Sequence, residues 1–316
     1  MLMLGACGPF VYPPGPDVRV PVLSQTALHA ADGTDLAVQR WQPAAVPKAT
    51  ILALHGFNDY SRFIEDPAAA FTAAGYAVVA YDQRGFGRTP IRMRWSGTPA
   101  YVRDLRVAVD LVRAAAPDRP LYLLAESMGA AITLVAQAEA ALPVDGLVLV
   151  APAVWGRASM GPIERSALWL FARLLPGFEA TAQGTGRTPS DNIEMLRRLG
   201  QDPLMITRTR LDAIHGLVDL MDAAQAAAPH QRDLPTLILY GQREDVIPPW
   251  AVCQFLARLP PHRSIRLARY PTGYHMLLRD RAADRPIGDI LAWLGDPKGA
   301  LPSGHDTVIA DLACGG

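Results

Sequence analysis

From residue 24 onward, short apolar runs alternate with longer segments whose apolar positions recur every three or four residues. Residues 36–41 read as a strand. Residues 50–54, 76–81, 121–125 and 147–151 are nearly unbroken apolar runs, the form of strands covered on both faces. Between them, 68–74, 102–115 and 128–141 read as helices, the second stopped by Pro117 and Pro120. After residue 151 the alternation lapses, and 163–175, 192–199 and 211–227 read as successive helices. It resumes with strands at 235–240 and 264–270 and a last helix at 286–294. Strands alternating with helices predict an α/β domain with a mostly parallel sheet, built from 24–151 and 234–294 and interrupted by a helical insertion at 152–233. Residues 295–316 carry turn residues and little periodicity, and read as a loosely held tail. Residues 1–23, Pro-rich from Pro9 to Pro21, read as an extended tether.

Composition narrows the classes. Half of the 316 residues are apolar and 19% are charged, enough to bury a large core. Thirty basic residues balance thirty acidic ones, so the chain lacks the excess of positive charge that a nucleic-acid partner requires. No run of 18 apolar residues offers a membrane span. Cys7, Cys253 and Cys314 are too few and too scattered for a disulfide framework or a zinc site.

The strongest chemical signal is Ala125-Glu126-Ser127-Met128-Gly129, where a predicted strand meets a predicted helix. A serine on such a turn projects its Oγ from the sheet edge, and its neighbours two positions away must be small because backbone meets backbone. The usual pattern has glycine where Ala125 stands, one methyl group fewer. A serine hydroxyl needs a base, and the base needs an acid to orient it. In this architecture they follow in the order serine, acid, histidine. The strand at 235–240 runs into Gly241-Gln242-Arg243-Glu244-Asp245-Val246-Ile247-Pro248, which puts Asp245 on the loop expected to carry the acid, with Glu244 as the adjacent competitor. His275, in Gly273-Tyr274-His275, follows the next strand and has the position of the base. His29 and His55 precede the serine, His215 and His230 fall in the insertion, and His262 and His305 lie before a strand and in the tail. The backbone N–H groups of Met128, after the serine, and of Phe57, in His55-Gly56-Phe57-Asn58, are the expected oxyanion donors.

These segments resemble the serine hydrolases of the α/β-hydrolase fold, and within them the monoacylglycerol lipase and lysophospholipase-like branch. The likeness also rests on Asp82-Gln83-Arg84-Gly85-Phe86-Gly87-Arg88 and Asp202-Pro203-Leu204, and it spans residues 24–294. It implies hydrolysis of a small-molecule carboxylic ester with an apolar acyl group, through an acyl-enzyme on Ser127, with Asp245 as acid, His275 as base and no metal or organic cofactor. The turn at 82–87 is implied to be conformational. Asn58-Asp59 stands where monoacylglycerol lipases commonly have Gly-Glu. The insertion is implied to be a lid over the site, made apolar by Trp155, Met160, Leu168, Trp169, Phe171, Leu174 and Leu175. Of these, Trp155 and Met160 are the expected pocket residues, and most of the others are expected to pack the lid onto the body.

Two rival readings stay open: a related serine hydrolase cutting amide, thioester or carbon–carbon bonds, and a non-catalytic binding lipoprotein of the same fold. Leu4-Gly5-Ala6-Cys7 has the form of a bacterial lipobox, which would tether the protein to the cell envelope through a lipid on Cys7. Only six residues precede Cys7, too few for a charged and an apolar signal region. The alternatives are an anchored protein whose signal is truncated in this sequence and a cytoplasmic one with a chance match.

Overall fold

The computed structural model describes residues 9–181, 186–261 and 264–307. Three strands open the chain: β1 (Val22–Leu23), β2 (Ala27–His29) and β3 (Asp35–Trp41), of which β3 alternates buried and less buried positions. Then β4 (Ala49–Leu54), α1 (Glu65–Ala73), β5 (Tyr76–Tyr81), α2 (Thr98–Ala115), β6 (Leu121–Glu126), α3 (Met128–Glu139) and β7 (Gly146–Val150) repeat the strand–helix alternation. Every residue of β4, β5 and β7 is buried, as their unbroken apolar runs require. The insertion after β7 holds α4 (Pro162–Leu174), β8 (Glu179–Ala180), α5 (Ile193–Gln201), β9 (Thr209–Arg210) and α6 (Leu211–Ala227). The chain closes with β10 (Thr236–Gly241), α7 (Pro249–Leu256), β11 (Ile265–Tyr270), α8 (Asp284–Gly295) and β12 (Asp306–Thr307).

Among the described residues the strands form one ten-stranded sheet in the order β1-β2-β3-β5-β4-β6-β7-β10-β11-β12, while β8 and β9 pair apart from it. The six strands from β5 to β11 run parallel, and antiparallel strands flank them on both sides. One apolar cluster fills the face toward α2, α3 and α6, and a second fills the face toward α1 and α8. Two buried layers allow the central strands to be apolar on both sides. The parallel order sends the carboxyl ends of β4, β6, β10 and β11 to one edge, where the loops that follow them converge.

Two terminal expectations need correction. Residues 9–20 form no regular element, but they are bound to the body: Tyr12 N–H donates to the Trp95 carbonyl, Val18 and Arg19 N–H to that of Ala31, and the Arg94 guanidinium covers the Tyr12 ring. The tail is anchored as far as residue 307. Leu301 is buried, the Asp289 carboxylate accepts from Ser303, and β12 pairs with β11. Residues 308–316 lie outside the described set, as does Cys7. Helix α7, which no sequence expectation covers, follows Pro248 and begins at Pro249, since proline in the first helical turn costs no hydrogen bond.

Candidate active site

Ser127 sits between β6 and α3 with φ +52° and ψ −110°, a conformation that L-residues rarely adopt. Its N–H donates to the Val150 carbonyl (2.9 Å), and its carbonyl accepts from Ala131 and Ala153, so the surrounding backbone holds the strained turn. Gly129 is required here: a Cβ at that position would lie 2.8 Å from both the Cβ and the carbonyl oxygen of Leu54. Ala125 is fully buried in register with Leu54 and Leu149, and its extra methyl group is accommodated within the sheet.

His275 lies on the turn after β11 with its Nε2 3.0 Å from Ser127 Oγ. Its Nδ1 is 2.5 Å from Glu244 Oε2, not from Asp245. The expectation of Asp245 as the acid is therefore corrected to its neighbour. Glu244 is buried, and its other oxygen, Oε1, accepts from Val246 N–H (2.6 Å) and Ile247 N–H (3.0 Å), which fixes the carboxylate toward the imidazole. Asp245 is exposed, and both its oxygens accept from Thr188 N–H (3.0 and 2.8 Å) on the insertion. Two adjacent acids on a loop point in different directions, and loop geometry decides which meets the histidine. Burial alone would lower the His275 pKa, but attraction and hydrogen bonding to Glu244, helped by the charge of Glu126, carry it above the ordinary imidazole value.

The turn His55-Gly56-Phe57-Asn58 passes directly over the serine, close enough that a Cβ on Gly56 would stand 3.2 Å from Ser127 Cβ. Asn58 has φ +68° and is tied to the insertion, donating to Thr209 Oγ1 (2.7 Å) and accepting from Ile206 N–H (3.0 Å). Phe57 lines the cavity beside the serine, and its ring packs edge-on against Phe86 and Trp95. Met128 opens α3, so its N–H is one of those a helix cannot satisfy within itself. His55 is buried and structural: Gln83 N–H donates to its Nε2 (2.9 Å), which leaves Nδ1 to donate to the Gly56 carbonyl (2.7 Å). Burial lowers its pKa and keeps it neutral.

The turn at 82–88 supports the site from behind, through Gln83 on His55 and Phe86 on Phe57. Asp82 accepts from Ser61 and from Arg88 N–H, and the buried Arg84 bridges Asp32 and Asp104. Asp202 accepts from the Tyr60 hydroxyl at 2.6 Å.

A cavity of about 500 Å³ opens over Ser127 and His275. Trp155 and Met160 both line it, with Leu168, Leu217, Met221 and Val246. Its polar edges come from Asn58, Glu164 and Arg187. The Arg187 guanidinium stacks on Trp155 (4.6 Å) and donates to the Val246 carbonyl (2.7 Å). The remaining aromatic and leucine side chains of α4 and its C-terminal cap do not pack onto the body as expected: Trp169, Phe171, Leu174 and Leu175 are all about half exposed or more. Among the described residues no helix is long and apolar enough to cross a membrane, and no three acidic, histidine or cysteine side chains are grouped to hold a metal.

A serine on a strained strand-to-helix turn, an imidazole and a buried carboxylate at the carboxyl edge of a parallel sheet are the arrangement of an α/β-hydrolase. The family model described as "Serine aminopeptidase, S33" matches residues 45–282, and the chain belongs to that family. It is similar to the monoglyceride lipase of Mus musculus, with 27% identity over 90% of this chain and 95% of that one. It is also similar to the monoacylglycerol lipase of Mycolicibacterium smegmatis, with 25% identity over 86% and 96%. The crystal structure of a soluble variant of Saccharomyces cerevisiae monoglyceride lipase shares the fold, with a TM-score of 0.72 and 20% identity over 90% of this chain and 99% of that one.

Proposed function

We propose that the protein hydrolyses carboxylic esters of an apolar acyl group by two-step acyl transfer on Ser127. The observation that carries this reading is one imidazole spanning two partners, 3.0 Å from Ser127 Oγ and 2.5 Å from Glu244, beneath an apolar cavity. The likeness to monoglyceride and monoacylglycerol lipases supports the ester class. Glu244 holds the Nδ1–H tautomer, which leaves Nε2 free to take the serine proton as Oγ attacks the ester carbonyl. The oxyanion that develops is stabilised by the N–H groups of Phe57 and Met128. His275 then protonates the leaving alcohol, and water repeats the sequence to release the acid.

The helical insertion serves as the lid. Trp155, Met160 and Leu168 form its acyl-facing wall, and the exposed apolar side of α4 faces the medium from which a sparingly soluble ester arrives. The placement in the cell envelope rests on Cys7 alone, and mass spectrometry of the native N-terminus tests it: an unacylated Cys7 in the mature protein ends that reading.

For the chemistry, Ser127→Ala is expected to fold and to lose esterase activity by at least about a thousandfold. A fluorophosphonate probe should label wild type and not the variant. Wild-type protein that does not react would favour the non-catalytic reading. A panel of esters graded in acyl length, with amide and thioester counterparts, identifies the bond cut.

A further inference from the structure

Glu126, Arg279 and Asp59 are charged, buried and unused by the acyl-transfer steps. Arg279 Nη2 donates to Glu126 Oε1 at 2.8 Å, and Arg279 Nη1 lies 2.7 Å from Asp59 Oδ2. Each partner belongs to a different part of the site. Glu126 ends β6 and directly precedes the nucleophile. Asp59 follows the oxyanion turn, and its N–H bonds back to the Gly56 carbonyl (3.4 Å). Arg279 lies four residues after the base, its N–H bonded to the Met276 carbonyl (2.8 Å). Glu126 Oε1 also packs under Gly56, 3.7 Å from where a Cβ would stand.

We propose that Glu126, Arg279 and Asp59 form a buried brace of positioning residues, in which one guanidinium locks the nucleophile turn, the oxyanion turn and the histidine turn in register and Glu126 adds negative charge behind His275. The inference rests on the ester-hydrolase reading of the same site. A planar guanidinium with several N–H groups can hold two carboxylates at fixed angles, which an ammonium cannot. Among the described residues Glu126 Oε2, Asp59 Oδ2 and Arg279 Nη1 have no hydrogen-bond partner, so Arg279 meets Asp59 as an ion pair. Burial raises the Glu126 carboxyl above its ordinary value and the Arg279 charge opposes that; with both carboxylates ionised the cluster carries one negative charge in excess. That excess favours the imidazolium, which must form as the serine proton leaves. His275 is faced by Glu244 from the β10–α7 loop, Glu126 from β6 and Arg279 from its own turn, while Arg187 and Glu164 reach the same cavity from the insertion. Glu126 raises the affinity of His275 for a proton and Arg279 lowers it.

The test compares kcat/KM against pH, on a soluble nitrophenyl ester, for wild type, Glu126→Gln, Asp59→Asn and Arg279→Lys. Glu126→Gln keeps the shape of the brace and removes the charge. Its acidic limb should move to lower pH, so that on the limb it keeps about threefold more of its plateau rate than wild type does. Asp59→Asn and Arg279→Lys should lower kcat about tenfold or more, with less change in KM, because the oxyanion turn is freed. A Glu126→Gln limb that coincides with wild type, together with kcat within about twofold for the other two variants, overturns the brace. Should Glu126→Gln fail to fold, the other two decide: unchanged kcat in both overturns it. Wild type that no fluorophosphonate labels refutes the hydrolase reading itself, whereas labelled wild type with all three variants unchanged in this way refutes only the brace.

Discussion

Glu244→Gln and Asp245→Asn form the sharpest pair of perturbations, because they alter neighbouring acids with opposite expected results. Glu244 Oε2 is 2.5 Å from His275 Nδ1, and the carboxylate is buried. A glutamine there would present either an N–H, forcing Nδ1 to become the acceptor, or a neutral carbonyl oxygen. In the first case Nε2 carries the ring proton and points it at Ser127 Oγ, so it can no longer accept one. In the second the tautomer survives, but the imidazolium loses its counter-charge. Replacing the acid of a serine–histidine–carboxylate set by its amide typically costs about 10⁴ in rate. A loss of 10³ to 10⁴ corresponds to about 4–5.5 kcal/mol of transition-state stabilisation. Asp245 is exposed and, among the described residues, accepts from Thr188 N–H, and asparagine keeps an oxygen for that bond. Its variant should therefore stay within about threefold of wild type, a change of well under 1 kcal/mol. Steady-state kcat/KM on a nitrophenyl ester, with circular dichroism to verify folding, reads both. A Glu244→Gln variant within tenfold of wild type, or an Asp245→Asn variant that loses a thousandfold, would refute the assignment.

Because Glu244 and Glu126 hold the His275 pKa above the ordinary imidazole value, wild-type kcat/KM should fall on the acid side at a pH above about 6.5, and Glu244→Gln should move that limb downward in whatever activity remains. Arg84→Met leaves the buried Asp32 and Asp104 without their shared cation and should cost about 3–5 kcal/mol in urea unfolding; a loss below about 1 kcal/mol would show that the bridge is dispensable.

Local sequence determined the elements that depend on neighbouring residues. The strand at 76–81 and the helix at 211–227 were legible to the residue, since unbroken apolar runs and three-to-four spacing report burial directly. Ser127 was legible too, because a small-residue turn between strand and helix leaves a mark in five adjacent positions, and His275 followed from chain order. What the sequence alone left undecided required distances across the fold. Glu244 and Asp245 differ by one position and one methylene, and nothing local says which side chain turns inward. The Val246 and Ile247 N–H groups settle that by capturing Glu244 Oε1. Arg279 could not be read at all, because its partners lie 153 positions away at Glu126 and farther still at Asp59. The outward apolar side of α4 was equally hidden: periodicity reveals that a helix has two faces, and only packing decides which of them meets the body. Residues near in sequence share a local code, whereas a site assembled from several loop ends depends on where a parallel sheet delivers them.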